Sequence, residues 1–241
     1  MAAQNLNLTA IIIAVLLIAS FFAVFYFYQM EKNKATVTAT GNSQMKVAPD
    51  QAVVYLLIQT KASSAEQAKD QNAVISDNVL TALIKVGVER KDIETENYNI
   101  YPEYNWTSGE QKIIGYTASN NIKVTTEDFN NVGKIVDASV DSGALVSYIN
   151  FELSNDKNNK YKAIVMANAS LDAKNKAESI ATGLGKRTGG IVSVSTSDYY
   201  YQPYPLYRAE GATQDVKSVA TNIQPKSLDI SATVTVTYQI Y

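Results

Sequence analysis

The chain of 241 residues contains no cysteine and no histidine. Without thiols there are no disulfides, no thiolate zinc or iron–sulfur sites and no sulfur nucleophile. Without imidazole there is no His-based triad and no side chain whose ordinary pKa lies near neutrality. Neither sign of charge dominates: 21 Lys and Arg against 23 Asp and Glu give a net charge of −2. There is no basic stripe, so nucleic acid is not indicated as a partner. Tryptophan occurs once, whereas tyrosine occurs 16 times and in clusters. These residues indicate no catalytic constellation, cofactor or metal site, and the chain reads as a non-enzyme.

What is present first is an apolar run. Residues 8–28, LTAIIIAVLLIASFFAVFYFY, carry no charge, proline or glycine. As a helix they extend about 30 Å, the thickness of a bilayer's hydrocarbon core. The run is expected to be a transmembrane anchor in contact with the lipid bilayer, preceded by a tail (1–7) and followed by a linker (29–34). Phe21, Phe22, Phe25, Tyr26, Phe27 and Tyr28 gather at one end, where amphipathic rings favour the headgroup region. A cleaved signal would need a basic start and a small-x-small cleavage site. Neither is present, so the anchor reads as uncleaved and single-pass. Lys32 and Lys34 alone would place the following residues in the cytoplasm.

Residues 35–241 are enough for one large domain or two interleaved small ones. Ala35–Thr40 alternates as a strand, Gly41–Asp50 reads as a turn, and Ala52–Thr60 is an apolar strand suited to burial on both faces. The two strands are expected to form a hairpin. Ser63 and Glu66 form a capping box ahead of a helix carrying Ala68, Ile75, Val79, Ala82, Leu83 and Val86, which Gly87 ends. Two strands follow (Lys91–Tyr104 and Lys112–Thr125). A helix from near Thr125, with Asp128 in its first turn and Phe129, Val132, Ile135, Val136 and Val140 on one side, stops at Gly143. After a strand at Leu145–Leu153, the spacing predicts a long helix from Asp156 to about Leu184. Its ladder of Ala169, Ala173, Ala177 and Ala181 permits close packing. Ile191–Ser197 is another strand. Leu228–Tyr241 alternates cleanly, with Leu228, Ile230, Ala232, Val234, Val236, Tyr238 and Ile240 on one face. Gln202–Pro225 between them reads as a long loop, of the kind that is often functional.

Several short patterns agree with one family. Gly41, Lys46, Pro49 and Asp50, then Lys91-Asp92-Ile93-Glu94-Thr95, then Gly115-Tyr116-Thr117-Ala118-Ser119 resemble successive stretches of the SIMPL-domain family. So do Asp172-Ala173-Lys174, Lys176-Ala177 and Leu184-Gly185 in the long helix, and the alternating terminal strand. The family includes bacterial and archaeal periplasmic or surface proteins of the oxidative-stress-defence type. The resemblance implies an α+β fold: two interleaved α/β sandwich lobes after the transmembrane helix, one ferredoxin-like (β-α-β-α-β), with a long C-terminal antiparallel strand. Lobe 1 would comprise residues 35–110 plus 218–241, lobe 2 residues 111–201, and residues 202–217 a Tyr/Pro-rich loop. It also implies an extracytoplasmic location, against the two-lysine bias, and assembly into rings or other homo-oligomers. It brings no catalytic residues.

Several sharper motifs stand beside plainer alternatives. Gly183, Gly185, Lys186 and Thr188 suggest a phosphate loop, but Ile180 and Arg187 break its spacing, and a helix cap explains the glycines. Glu94 and Glu96, two apart on a strand, suit a glycosidase pair or ordinary solvated surface. Tyr199, Tyr200, Tyr201, Tyr204, Tyr207 and Arg208 form a candidate interface, since tyrosine and arginine are favoured at protein contacts; local packing of the same rings is the alternative. Tyr98, Tyr101, Tyr104 and Trp106 are a second candidate aromatic patch, suited to cell-wall or surface glycan. Asn105-Trp106-Thr107 is a candidate glycosylation sequon at an expected hairpin tip, whereas Asn168-Ala169-Ser170 falls within a helix. An envelope scaffold or stress-related component, a glycan- or partner-binding module and a carboxylate–tyrosine enzyme are the three readings these residues allow, the first being preferred.

Overall fold

The computed structural model describes residues 15–25, 35–107, 110–208 and 225–241. Helix α1 (residues 15–25) carries exposed apolar side chains throughout. The rest of the expected span, residues 8–14 and 26–28, lies outside the described residues. No helix among the described residues is long and apolar enough to cross a membrane.

The described residues divide into two compact units, one within 1–43, 165–199 and 232–241 and the other within 44–164 and 200–231. Their boundaries differ from the expected lobes. The second unit holds strands β2 (Gln51–Ala62), β3 (Ile93–Thr107), β4 (Glu110–Thr126) and β5 (Leu145–Glu152), with helices α2 (Ala65–Lys85) and α3 (Val132–Asp141). The sheet runs β3-β4-β2-β5, and the β2/β4, β2/β5 and β3/β4 pairs are all antiparallel. This β-α-β-β-α-β order, with the first strand inside the sheet and the second at its edge, is the ferredoxin-like arrangement. It occupies residues 51–152 instead of the expected 111–201.

Burial explains the shift. Ala52, Val53, Val54, Leu56 and Ile58 of β2 are buried, so β2 takes a central position, and β4 and β5 flank it. Val79 and Leu83 of α2 and Val132, Ile135 and Val136 of α3 close over one face of this sheet, with Phe151 and Ile149 from β5. The N-cap of α2 is Ser64, not Ser63: its hydroxyl accepts the Gln67 N–H at 3.2 Å. Asp128 caps a 3-10 turn (Phe129–Asn131) ahead of α3 by accepting the Asn130 N–H at 3.0 Å. The helix therefore begins at Val132 instead of near Thr125.

The remaining strands are β1 (Thr36–Val47), β6 (Thr188–Tyr201), β7 (Tyr204–Arg208) and β8 (Leu228–Ile240), and α4 (Asn155–Gly183) is the longest helix. β1 lies in a three-stranded sheet ordered β1-β8-β6, so the expected β1–β2 hairpin is not formed. β6, expected in the ferredoxin-like lobe, also belongs to that sheet. Gly41 continues β1 instead of turning it. A Cβ there would lie 2.0 Å from the Ala169 carbonyl oxygen and 2.3 Å from the Ala173 nitrogen, so the glycine exists to admit α4. Ala169, Ala173, Ala177 and Ala181 are fully buried, and Val37 and Ala39 pack with Ala177.

Candidate functional site

The tyrosine-rich stretch is not one long loop. After Gln202 and Pro203, which belong to neither strand, β7 pairs antiparallel with β5, Tyr204 opposite Phe151 and Pro205 opposite Asn150. A proline is tolerated there because β7 is the edge of its sheet. Residues 209–224 lie outside the described residues, as do the side chains of Tyr207, Arg208 and Trp106.

The tyrosines divide by role. Tyr201 accepts the Leu153 N–H at 2.7 Å on its hydroxyl, which anchors the end of β6 to the end of β5. Tyr199 is partly buried, and burial pushes its hydroxyl pKa up. Tyr200 is 55% exposed and donates its hydroxyl proton to the Gln202 side-chain oxygen. Tyr204 is 38% exposed, with the Lys226 ammonium 5.8 Å from its ring centre, within cation–π range. Tyr200 and Tyr204, with Pro203, Pro205, Lys226 and Asp229, line an open cleft of about 350 Å³. Two exposed rings, two prolines and one charge of each sign make a surface suited to a flat or extended partner.

The second aromatic patch is split. Tyr98 lies opposite Asn120, whose side chain reaches Ser76 on α2, so it shares the helix-covered face of the sheet. Tyr101 lies opposite Thr117 on the other face and receives a hydrogen bond from Gln59 at 3.4 Å. A bulge between Glu103 and Tyr104 places Tyr104 opposite Ile113, on the face of Tyr101. Asn105 is exposed within β3, opposite Lys112.

The face of the five-stranded sheet opposite α2 and α3 carries several polar side chains. Lys61 pairs with Glu103 at 2.5 Å, and the Thr117 hydroxyl donates to the same carboxylate at 2.7 Å. Together they hold the Glu103 carboxyl below its ordinary range. Tyr55 and Tyr148 stack at 4.0 Å, and burial, reinforced by Glu152 and Tyr148, pushes the Tyr55 hydroxyl up. Glu94 is bound to Lys123 at 3.2 Å, while Glu96 occupies a bulge of β3. Glu94 is thus committed to a lysine, as a surface carboxylate commonly is.

Other motif residues turn out to build the fold. Asp50 accepts the N–H and the hydroxyl of Ser154 at 2.8 and 2.7 Å, fixing the start of α4. Gly185, with φ +68°, ends that helix and holds no phosphate loop. The buried Asn72, which apolar periodicity passes over, donates to the carbonyls of Ile58 and Ala118 at 3.0 and 3.3 Å, tying α2 to two strands. Among the described residues no group of three or more acidic side chains converges as a metal site.

Against known proteins, the sequence model of SIMPL, described as a protein of unknown function (DUF541), matches residues 37–238. The chain is 31% identical over 194 residues to the 26 kDa periplasmic immunogenic protein of Brucella melitensis, covering 77% of this chain and 76% of that one. It is 22% identical over 204 residues to the uncharacterized protein YggE of Escherichia coli K12, covering 85% and 82%. With the YggE of Edwardsiella ictaluri the identity is 27% over 181 residues, covering 73% and 74%.

Proposed function

The chain belongs to the SIMPL family, and from that premise we propose that it is a membrane-anchored, extracytoplasmic protein that self-assembles and serves as an envelope scaffold or stress-related component. The observation that carries assembly is the exposed cleft of Tyr200, Tyr204 and Lys226: rings that bury large areas at low entropic cost stand at the surface of unit two. A periplasmic relative supports the location. The apolar residues 8–28 supply the anchor, and confinement to a membrane plane raises effective concentration, so that weak lateral contacts add up. Surface carboxylates held low by lysine partners, as Glu103 is, are poised to stay ionised rather than to act as general acids, and we read the protein as a non-enzyme.

Replacing Tyr200 and Tyr204 with serine in the full chain is expected to lower oligomer mass without moving the thermal transition. An unchanged mass would remove the cleft from assembly. For orientation, protease added to intact cells should clip the folded units; cleavage only after the membrane is breached would reverse the topology. The same cleft supports a second reading, binding of a surface or cell-wall glycan by stacking on Tyr200 and Tyr204. Saturable binding of soluble peptidoglycan fragments by a monomeric chain would favour it over assembly.

A further inference from the structure

The three-stranded sheet has two edges, and they are treated differently. Along β1, the Ile240 N–H donates to the Ala35 carbonyl at 2.8 Å. The hydroxyls of Thr38 and Thr237 meet at 2.9 Å, and those of Thr40 and Thr235 at 3.0 Å. Facing residues therefore run 35/240, 38/237 and 40/235, antiparallel. Bonded and non-bonded pairs alternate in such a ladder. Since 35/240 is bonded, the main-chain groups of Thr38, Thr40 and Asn42 point away from β8, toward the free edge. Two of them are occupied: the Asn42 N–H donates to Asp172 at 2.8 Å, and the Thr40 carbonyl accepts from the Lys176 ammonium at 3.1 Å. Asp172 and Lys176 are themselves an ion pair at 2.7 Å one helical turn apart. Helix α4 thus closes the β1 edge.

β6 has no such cover among the described residues. Arg187 and Tyr241 exchange main-chain hydrogen bonds at 3.0 and 3.2 Å. Counting in twos from that bonded pair, the N–H and C=O of Gly190, Val192, Val194 and Thr196 point away from β8. Residues 190–196 are all exposed, and Ile191, Val192 and Val194 are 61, 52 and 56% exposed. Val192 and Val194 fall on the face of Val236 and Val234, which are buried. The apolar face of the sheet therefore continues past the part that is covered. Long, uncharged, apolar edges of this kind are templates for strand addition.

We propose that the β6 edge is an isologous interface, pairing antiparallel with β6 of a second copy of this chain about a two-fold axis at Ser193. Charge selects this occupant. Residues 188–196, TGGIVSVST, carry no ionisable side chain, so a strand can lie against its own copy without placing like charges opposite. On α4, Ala173 faces the sheet and Asp172 reaches β1, so Lys174, one position further round, lies on the flank away from β1, with Glu178 beside it at 3.7 Å. A two-fold axis at Ser193 turns that flank, which carries both a lysine and a glutamate, toward the same flank of the copy in the reverse direction, so the facing sides are of mixed rather than like charge. The closed β1 edge is excluded as partner. Within the register, Gly190, Val192, Val194 and Thr196 exchange main-chain bonds with Thr196, Val194, Val192 and Gly190 of the second copy. Ser193 faces itself in a non-bonded pair, where side chains approach most closely. This inference rests on the self-assembly reading and adds a second contact to the tyrosine cleft.

The chain's lack of cysteine makes the test direct. Ser193→Cys in the full chain, purified in mild detergent and gently oxidised, should give a disulfide-linked dimer, because the two sulfurs fall within bridging distance. Ser195→Cys, which the register sets opposite Ile191, should not. Val194→Lys should weaken association about tenfold, with an unchanged thermal transition showing that the unit still folds. Equal cross-linking of both cysteine variants, or an oligomer unaffected by Val194→Lys, would overturn the β6 pairing while leaving self-assembly intact. A chain that is monomeric at every concentration would remove both.

Discussion

Asp172 and Asn42, 130 positions apart in sequence, meet at 2.8 Å, the carboxylate of a helix accepting the main-chain N–H of an edge strand. Through this contact, and that of Lys176 with the Thr40 carbonyl, two charged motif residues occupy hydrogen-bonding groups that would otherwise accept another chain. Asp172→Ala is expected to lower the melting temperature modestly and to raise the mass distribution, since the β1 edge then becomes a second site for strand addition. Sedimentation of the variant beside Lys160→Ala, an exposed lysine near the start of the same helix, checks this. Equal masses would show that the edge is protected by something other than Asp172.

The same carboxylate fixes the sign of a pH effect. Lys176, and then the Asn42 N–H, hold the Asp172 carboxyl below its ordinary value, and Lys61 and Thr117 do so for Glu103. A folded-state pKa below the unfolded one means that the stabilisation is complete above the ordinary carboxylate range, about pH 4. It is lost as pH falls through the lower, folded value. The wild-type melting temperature should therefore drop on acidification from pH 5 to pH 2 more steeply than that of the Asp172→Asn, Glu103→Gln double variant. Parallel melting curves would show that neither carboxylate is linked to folding.

Gly41 tests the packing of α4 directly. Gly41→Ala places a methyl group 2.0 Å from the Ala169 carbonyl oxygen and 2.3 Å from the Ala173 nitrogen, both main-chain atoms that cannot step aside singly. The expected loss is about 3 kcal/mol, at the upper end for overpacking. Gly183→Ala, where nothing lies within 4 Å of the added carbon, should change stability by less than about 1 kcal/mol. Denaturant titration of both variants decides; equal midpoints would mean that α4 does not press on β1 at that position.

What the sequence made legible was whatever repeats on one element. The alanine ladder of α4 and the alternation of β8 predict burial correctly, because a fixed period maps directly onto one face. Partner choice between distant segments was not legible. β2, apolar on both faces, looked ready to pair with its neighbour β1, but its burial calls for the flanking strands β4 and β5. A glycine within a strand pattern signals either a turn or a close approach, and only α4 shows that Gly41 is the second. Likewise Asp172 and Lys176 read as an ordinary solvated pair until the strand edge beside them is seen. At the candidate site, six tyrosine and arginine positions were expected to act together. Strand alternation sends neighbouring rings to opposite faces, which is why Tyr201 is tied inward while the Tyr200 ring stays exposed.

That division gives the sharpest test of the cleft. Tyr201→Phe removes the acceptor for the Leu153 N–H and keeps the ring, so it should lower stability by about 1 kcal/mol while leaving self-association as it is. Tyr200→Ser and Tyr204→Ser together should do the reverse. Their rings are exposed, so the melting temperature should hold, but the stacking surface beside Lys226 is lost and the oligomer should shrink. Adding Lys226→Ala to Tyr204→Ser should cost no more than Tyr204→Ser alone, because the ammonium acts through that ring. These variants, measured by melting and by sedimentation, separate the tyrosine that holds the fold from those offered to a partner. If Tyr201→Phe dissociates the assembly and the serine pair does not, the contact runs through the β5–β6 junction instead of the cleft.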